Sequence, residues 1–219
     1  MNFNYQKARD LMVENQLRPN KIKDPYILEL FRNMEKERFI PSNLANLSYS
    51  DMDINLDNKR GYLKNLHIAQ LIKHADLNKD HKILHLGSLT GYVSSLLANI
   101  CKQVYAVESN IDYRIKLEKN INDQKIDNIK IIDGDFRDGY KSQAPYDRIF
   151  IDSPIKDIDQ ILMDQLNINF GKIIMIKKVN NYLSQAILIT NNKNNISHEY
   201  LFDVFSSYEL YEDKKGFIF

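Results

Sequence analysis

The stretch ILHLGSLTGYVSSLLA (83–98) sets an apolar run, a glycine and a helix-forming run in direct succession. Gly87 ends the apolar run, and Ser88, Leu89, Thr90 and Gly91 lead into the helix. A glycine at a strand end lets a ligand approach the backbone closely, because no Cβ stands in the way. The helix that follows directs unpaired, partly positive amides at the same place, which favours a phosphate or a carboxylate. Glu108 closes the next apolar run, QVYAVE (103–108), about 20 residues beyond Gly87. An ionised carboxylate there can accept charge-assisted hydrogen bonds from both hydroxyls of a ribose. These residues point to an adenosine-bearing ligand that carries an anionic group.

NAD and S-adenosylmethionine both meet that description. The dinucleotide fingerprint is G-x-G-x-x-G, with backbone at the middle glycine touching the pyrophosphate. Here the run is G-S-L-T-G, and Leu89 in the middle position would crowd a pyrophosphate. A nucleoside bearing an amino-acid carboxylate is less demanding, so S-adenosylmethionine is favoured. The competing reading is a strand–helix corner in which Gly91 serves only helix packing. Two further positions suit adenosine. Asp135, in DGDFRDG (133–139), can accept from the adenine amino group, and Phe136 can pack on the ring. The same Asp-Gly pairs also mark solvated turns. Asp152, in IFIDSP (149–154), ends a fourth apolar run, on the sheet edge that faces the ligand crevice in open α/β folds.

The elements that must position these residues follow from periodicity. Runs 82–87, 103–108, 128–133, 146–152 and 171–178 read as strands, with helices at 90–101, 112–123 and 157–167 between them. That alternation argues for a parallel sheet covered on both faces. Runs 183–190 and 199–206, then GFIF at 216–219, look like strands without helices between them, and NNKNN (191–195) would join an antiparallel pair. Upstream, 5–17 reads as an amphipathic helix that Pro19 ends. Asp24 caps a second helix with Pro25 in its first turn, and a third runs over 65–75. Residues 42–64 carry few apolar residues and read as a long surface connection. The expected fold is α/β: a mainly parallel, seven-stranded, Rossmann-like sheet with an antiparallel C-terminal edge and an N-terminal helical segment. It forms a single domain over 1–219, with 1–64 on the substrate side and 65–219 on the cofactor side.

With 43% hydrophobic and 27% charged residues, the chain can bury a core. Its net charge of +1 offers nothing to nucleic acid or an anionic membrane. Cys101 is the single cysteine, so neither an intramolecular disulfide nor a cysteine zinc site is expected. Asp76, Asn78 and Asp80 mimic the opening of a calcium loop, but His81 and Gly87 stand where glycine and glutamate are required. His67, His74 and His81 recur at intervals of seven, yet His81 falls beyond the helix, and no metal is expected. The N-terminal residues have no apolar signal region, and a cytoplasmic protein is expected.

The chain resembles the protein-L-isoaspartate O-methyltransferase family over most of its length. MVENQLR (12–18), ERFIP (37–41), HLGSLTGY (85–92), VYAVE (104–108), APYDRIFID (144–152) and DQL (164–166) carry the likeness, and FDVFSSYELYEDKKGFIF (202–219) is similar to a divergent bacterial branch. The resemblance implies S-adenosylmethionine as cofactor and damaged proteins with isoaspartyl residues as substrate. The side-branch carboxylate would be methylated, and the ester would cyclise to a succinimide. Together with the residue reading, it implies a cofactor-binding set of Gly87, Ser88, Leu89, Gly91, Tyr92, Glu108, Ser109, Asp135, Phe136 and Asp152. The family's substrate-side hydroxyl is missing, since 51–87 holds no Ser or Thr. Arg60, Tyr62 and Lys64 lie there instead, as candidates to hold a substrate carboxylate or as packing and surface residues. A carboxylate acceptor is ionised at neutral pH, so no general base is needed and no catalytic residue is singled out. The alternatives are a degenerate binding or regulatory protein on the same fold, and a methyltransferase with another acceptor.

Overall fold

The computed structural model describes residues 3–57 and 59–210. Its centre is a sheet whose inner strands are buried on both faces. Strands β3 (Lys82–Leu86), β4 (Gln103–Val107), β5 (Ile129–Ile132) and β6 (Arg148–Ile155) are parallel, as is β7 (Asn169–Lys178) to β6. Strands β8 (Ser184–Asn192) and β9 (Asn195–Val204) complete an antiparallel edge. The spatial order is β5-β4-β3-β6-β7-β8-β9. The chain reverses direction across the sheet between β3 and β6, so the ligand crevice of an open sheet lies at their C-terminal ends. The apolar runs owe their continuity to two-sided burial. Ile83, Val104, Ala106, Ile174 and Ile176 pack on one face, while Leu84, Tyr105, Val107, Ile173 and Met175 pack on the other.

The first face carries helices α1 (Tyr5–Met12), α2 (Pro25–Asn33), α3 (Asn65–Ala75), α4 (Tyr92–Ala98) and α5 (Ile111–Asp123). Helix α1 continues as one π-helical stretch, Val13–Leu17, which brings Val13 and Leu17 into the core. Asp24 accepts from the Tyr26 amide and Pro25 opens α2, as the capping pattern requires. The second face is covered more thinly. The helix expected over 157–167 shrinks to α6, Gln160–Met163, and beyond it Leu166 bridges to Tyr146 instead of continuing the helix. The loop expected at 191–195 is tighter than its composition suggests. Lys193 and Asn194 both take positive φ, the backbone of a two-residue hairpin turn. The strand expected at 216–219 lies outside the described residues.

The expectation of a surface connection over 42–64 is overturned. Ser42–Leu47 is a 3-10 helix, and β1 (Ile54–Asn55) pairs with β2 (Gly61–Tyr62) as a small hairpin. Tyr49, Ile54, Tyr62 and Leu63 are buried in the main core. Their spacing follows neither helix nor strand, so periodicity misses them; tertiary packing buries them one at a time. Among the described residues, no helix is long and apolar enough to cross a membrane.

Candidate functional site

Gly87 leaves β3 with φ +77°. Its amide and that of Ser88 bond the Val107 carbonyl, at 2.9 and 3.2 Å, fixing the turn against the end of β4. Leu89 follows at φ +51° with its side chain buried. That backbone costs a non-glycine residue roughly 1–2 kcal/mol, and it turns the Leu89 amide toward Glu108. Gly91, at φ +97°, begins α4; a Cβ there would stand 3.1 Å from Leu117 Cδ1 on α5. Gly91 thus serves helix packing as well as the turn.

Glu108 lies beyond β4 with its side chain fully buried. It is the best-bonded group of the site. One carboxylate oxygen accepts from the Leu89 amide at 2.9 Å and Arg60 Nη2 at 2.7 Å. The other accepts from the Asn110 amide at 3.0 Å and Arg60 Nη1 at 3.3 Å. Arg60 comes from the β1–β2 hairpin and lies over the Tyr113 ring at 5.5 Å. Asp57 shapes that hairpin by accepting from the Lys59 and Arg60 amides and from the Tyr113 hydroxyl. Burial alone pushes the Asp57 carboxyl up, but the Tyr113 hydroxyl and these amides outweigh it and hold it below the usual carboxylate range.

Asp152, on β6, is buried and bonds His85 Nε2 at 3.0 Å. The opposite ring nitrogen, Nδ1, lies 2.7 Å from Ser94 Oγ on α4. This Ser94–His85–Asp152 chain fixes the Asp152 carboxylate from behind. Sequence reasoning passed over His85, although a lone polar residue within KILHLG was a usable signal. Lys36 was also missed. It is fully buried, its Nζ donating to Asn65 Oδ1 at 3.1 Å and the Leu63 carbonyl at 3.3 Å, and facing the rings of Tyr92 and Tyr62. Desolvation lowers its pKa to about 7, against the opposing pull of Asp53 and Asp152.

The sequence-derived residues separate into two groups. Gly87, Leu89, Glu108 and Asp152 gather around the C-terminal ends of β3, β4 and β6. Ser88 turns its hydroxyl inward to the His85 and Val107 carbonyls, at 3.2 and 3.4 Å. Tyr92 is buried, its hydroxyl donating to Asn65 Oδ1 at 3.3 Å, which leaves its backbone nearer the loop than its ring. Ser109 is exposed, and its carbonyl accepts from Arg114 at 2.9 Å. Asp135 is gripped by the amide and guanidinium of Arg137. Phe136 packs against the second-face core and lines a cavity of about 300 Å³ with Arg137, Ile155 and Leu162. Of the substrate-side candidates, Tyr62 is buried and bonded to Thr90 Oγ1 at 2.9 Å, and Lys64 pairs with Asp51 at 3.1 Å. Among the described residues, no cluster of His, Cys, Asp or Glu is arranged to hold a metal.

The donor set is one an adenosyl ligand could use: a buried carboxylate beyond β4, a glycine corner at the end of β3 and a second buried carboxylate on β6. Glu108 and Gly87, however, are both met by groups of the chain itself. Leu210 packs where Gly87 lacks a side chain, its Cδ1 lying 2.5 Å from an ideal Cβ position.

Comparison with known proteins places these features in a family. Residues 6–205 match the family model described as Protein-L-isoaspartate(D-aspartate) O-methyltransferase. A protein-L-isoaspartate O-methyltransferase of Methanoculleus marisnigri is 29% identical over 160 residues, 73% of each chain. One from Geotalea uraniireducens is 28% identical over 193 residues, 88% of each chain. Among solved structures, a putative protein-L-isoaspartate O-methyltransferase from Plasmodium falciparum, in complex with S-adenosyl-L-homocysteine, superposes with TM-score 0.77. It is 22% identical, and the match covers 97% of this chain and all of that one. A second protein-L-isoaspartate O-methyltransferase superposes with TM-score 0.76 at 18% identity, over 91% of this chain and 64% of that one. At these identities the structures attest a shared fold.

Proposed function

Because the chain belongs to the protein-L-isoaspartate(D-aspartate) O-methyltransferase family, we propose that it methylates the side-branch carboxylate of isoaspartyl residues in damaged proteins, using S-adenosylmethionine. The observation that carries this reading is Glu108: a buried carboxylate at the end of β4, beside the Gly87 corner, at the point where the sheet reverses direction. S-adenosylmethionine, when bound, supplies a methyl group on a sulfonium leaving group.

The work left to the chain is placement. Glu108 would hold the ribose hydroxyls through charge-assisted bonds. The glycine corner at Gly87 would admit the amino-acid end of the cofactor against the backbone. Asp152, held by His85, would set the polar floor of the crevice, with Asp135 and Phe136 on the adenine side. A carboxylate acceptor has a pKa near 4 and arrives ionised, so the chain moves no proton. Its rate advantage would come from alignment and exclusion of water. In the segment that lacks the hydroxyl, Tyr62 is buried and bonds Thr90 Oγ1 of the glycine loop at 2.9 Å, which braces the loop.

The test is transfer of labelled methyl from S-adenosylmethionine to an isoaspartyl peptide, with the matching aspartyl peptide as control. Base-labile label on the isoaspartyl peptide alone supports the reading. Equal labelling of both peptides, or of neither while the cofactor binds, points to another acceptor and defeats it.

A further inference from the structure

We propose that Arg60 and the strap Ser206–Leu210 form one latch that occupies the adenosyl site, so that S-adenosylmethionine binds only when the latch opens. The inference rests on the cofactor reading above.

The first ground is the coordination of Glu108. A carboxylate offers about four acceptor positions. The Leu89 and Asn110 amides and the two terminal nitrogens of Arg60 engage both of its oxygens. The two amides belong to the turns that build the site, so a ribose can gain the carboxylate only by displacing Arg60. That guanidinium is held imperfectly. Its Nε is buried and has no hydrogen-bond partner, a group that costs free energy while the latch is closed.

The second ground is the strap. The Leu210 side chain fills the space at Gly87, and the Leu210 amide donates to the Pro154 carbonyl at 3.0 Å. The strap therefore crosses from the end of β3 to the end of β6, over the switch point where the ligand belongs.

The third ground joins the two pieces. The Glu209 amide bonds the Lys59 carbonyl at 2.9 Å, next to Arg60. Tyr208 lies against Gly61, where a Cβ would come within 2.5 Å of its Cζ. Opening the strap thus loosens the hairpin that carries Arg60. The strap has no regular secondary structure and is pinned by separate contacts, among them the Lys178–Glu209 ion pair at 2.9 Å. Such a segment can open without unfolding the sheet.

Closure lowers the apparent affinity for the cofactor by the fraction of molecules that are open. Leu210→Ala removes most of the apolar plug over Gly87 and leaves every residue assigned to cofactor binding unsubstituted. Its affinity for S-adenosylhomocysteine, measured by calorimetry on the full chain, should be about tenfold tighter than wild type. Hydrogen exchange on the wild type gives a second readout that does not depend on a variant folding. The Glu209 and Leu210 amides should lose protection when S-adenosylhomocysteine is added. Unchanged affinity in Leu210→Ala, or amides that stay protected or gain protection with ligand, overturns the latch and leaves the cofactor reading standing. Absence of binding by both proteins overturns the cofactor reading and the latch with it.

Discussion

Lys36 offers a quantitative test of the packing beneath the site. Its ammonium is fully buried, with the Leu63 carbonyl and Asn65 Oδ1 as hydrogen-bond partners and two tyrosine rings facing it. Desolvation lowers its pKa from 10.5 to about 7. Between those values the unfolded chain binds the proton and the folded chain does not, so stability rises with pH across the window. Below pH 7 both states hold the proton and the full cost of the buried charge is felt. At 1.36 kcal/mol per pKa unit, that cost is about 5 kcal/mol, and the wild type should gain about 2 kcal/mol between pH 7 and pH 9 from this group. Lys36→Met keeps the length and removes the titration. It also leaves the Leu63 carbonyl without this donor, at about 1–3 kcal/mol, while Asn65 Oδ1 keeps the Tyr92 hydroxyl. The variant should therefore lie above wild type at pH 6 and near it at pH 9. Urea unfolding followed by circular dichroism at four pH values, with the slope on denaturant checked for constancy, measures this. Parallel pH profiles for the two proteins would refute the assignment of a proton-shedding amine to this position.

Two further predictions concern the site and its surroundings. Glu108→Ala should weaken S-adenosylhomocysteine binding at least about tenfold, through loss of two charge-assisted bonds worth roughly 1.5–3 kcal/mol each; calorimetry with an affinity equal to wild type would remove Glu108 from the ribose. His67, packed on Phe202 with ring centroids 5.5 Å apart, has its pKa lowered to about 4 by burial and then by Lys64. The unfolded chain binds the extra proton between pH 6.5 and 4, so stability should fall across that window by about 2 kcal/mol after allowing for partial solvent screening. His67→Phe should flatten the acid limb of the unfolding profile, and an unchanged limb would assign the acid sensitivity elsewhere.

What could be read from the residues depended on whether their roles were local. The Gly87 corner, the Asp24–Pro25 cap and the two-sided burial of β3, β4 and β7 are written in adjacent residues, and they stand where sequence reasoning placed them. The spacing from Gly87 to Glu108 was legible because one strand–helix–strand unit fixes it. The partners of those residues were not. Arg60 meets Glu108 across 48 residues, and its hairpin hides in a segment whose apolar residues follow no period. Leu210 reaches Gly87 from the far end of the chain, where composition gives no hint of a buried contact. Lys36 looked like one charge among many in MEKER, because only the tertiary structure supplies its aromatic walls. Helix α6 fell short of expectation because Leu166 bridges to Tyr146, a long-range contact that the local pattern does not announce.

The most direct measurement is a crystal structure of the full chain grown with S-adenosylhomocysteine. The account predicts ribose hydroxyls on the Glu108 carboxylate, the amino-acid end at the Gly87 corner, and Arg60 and Leu210 displaced from both. Ligand bound elsewhere, with Arg60 still holding Glu108 and Leu210 still seated on Gly87, would contradict it.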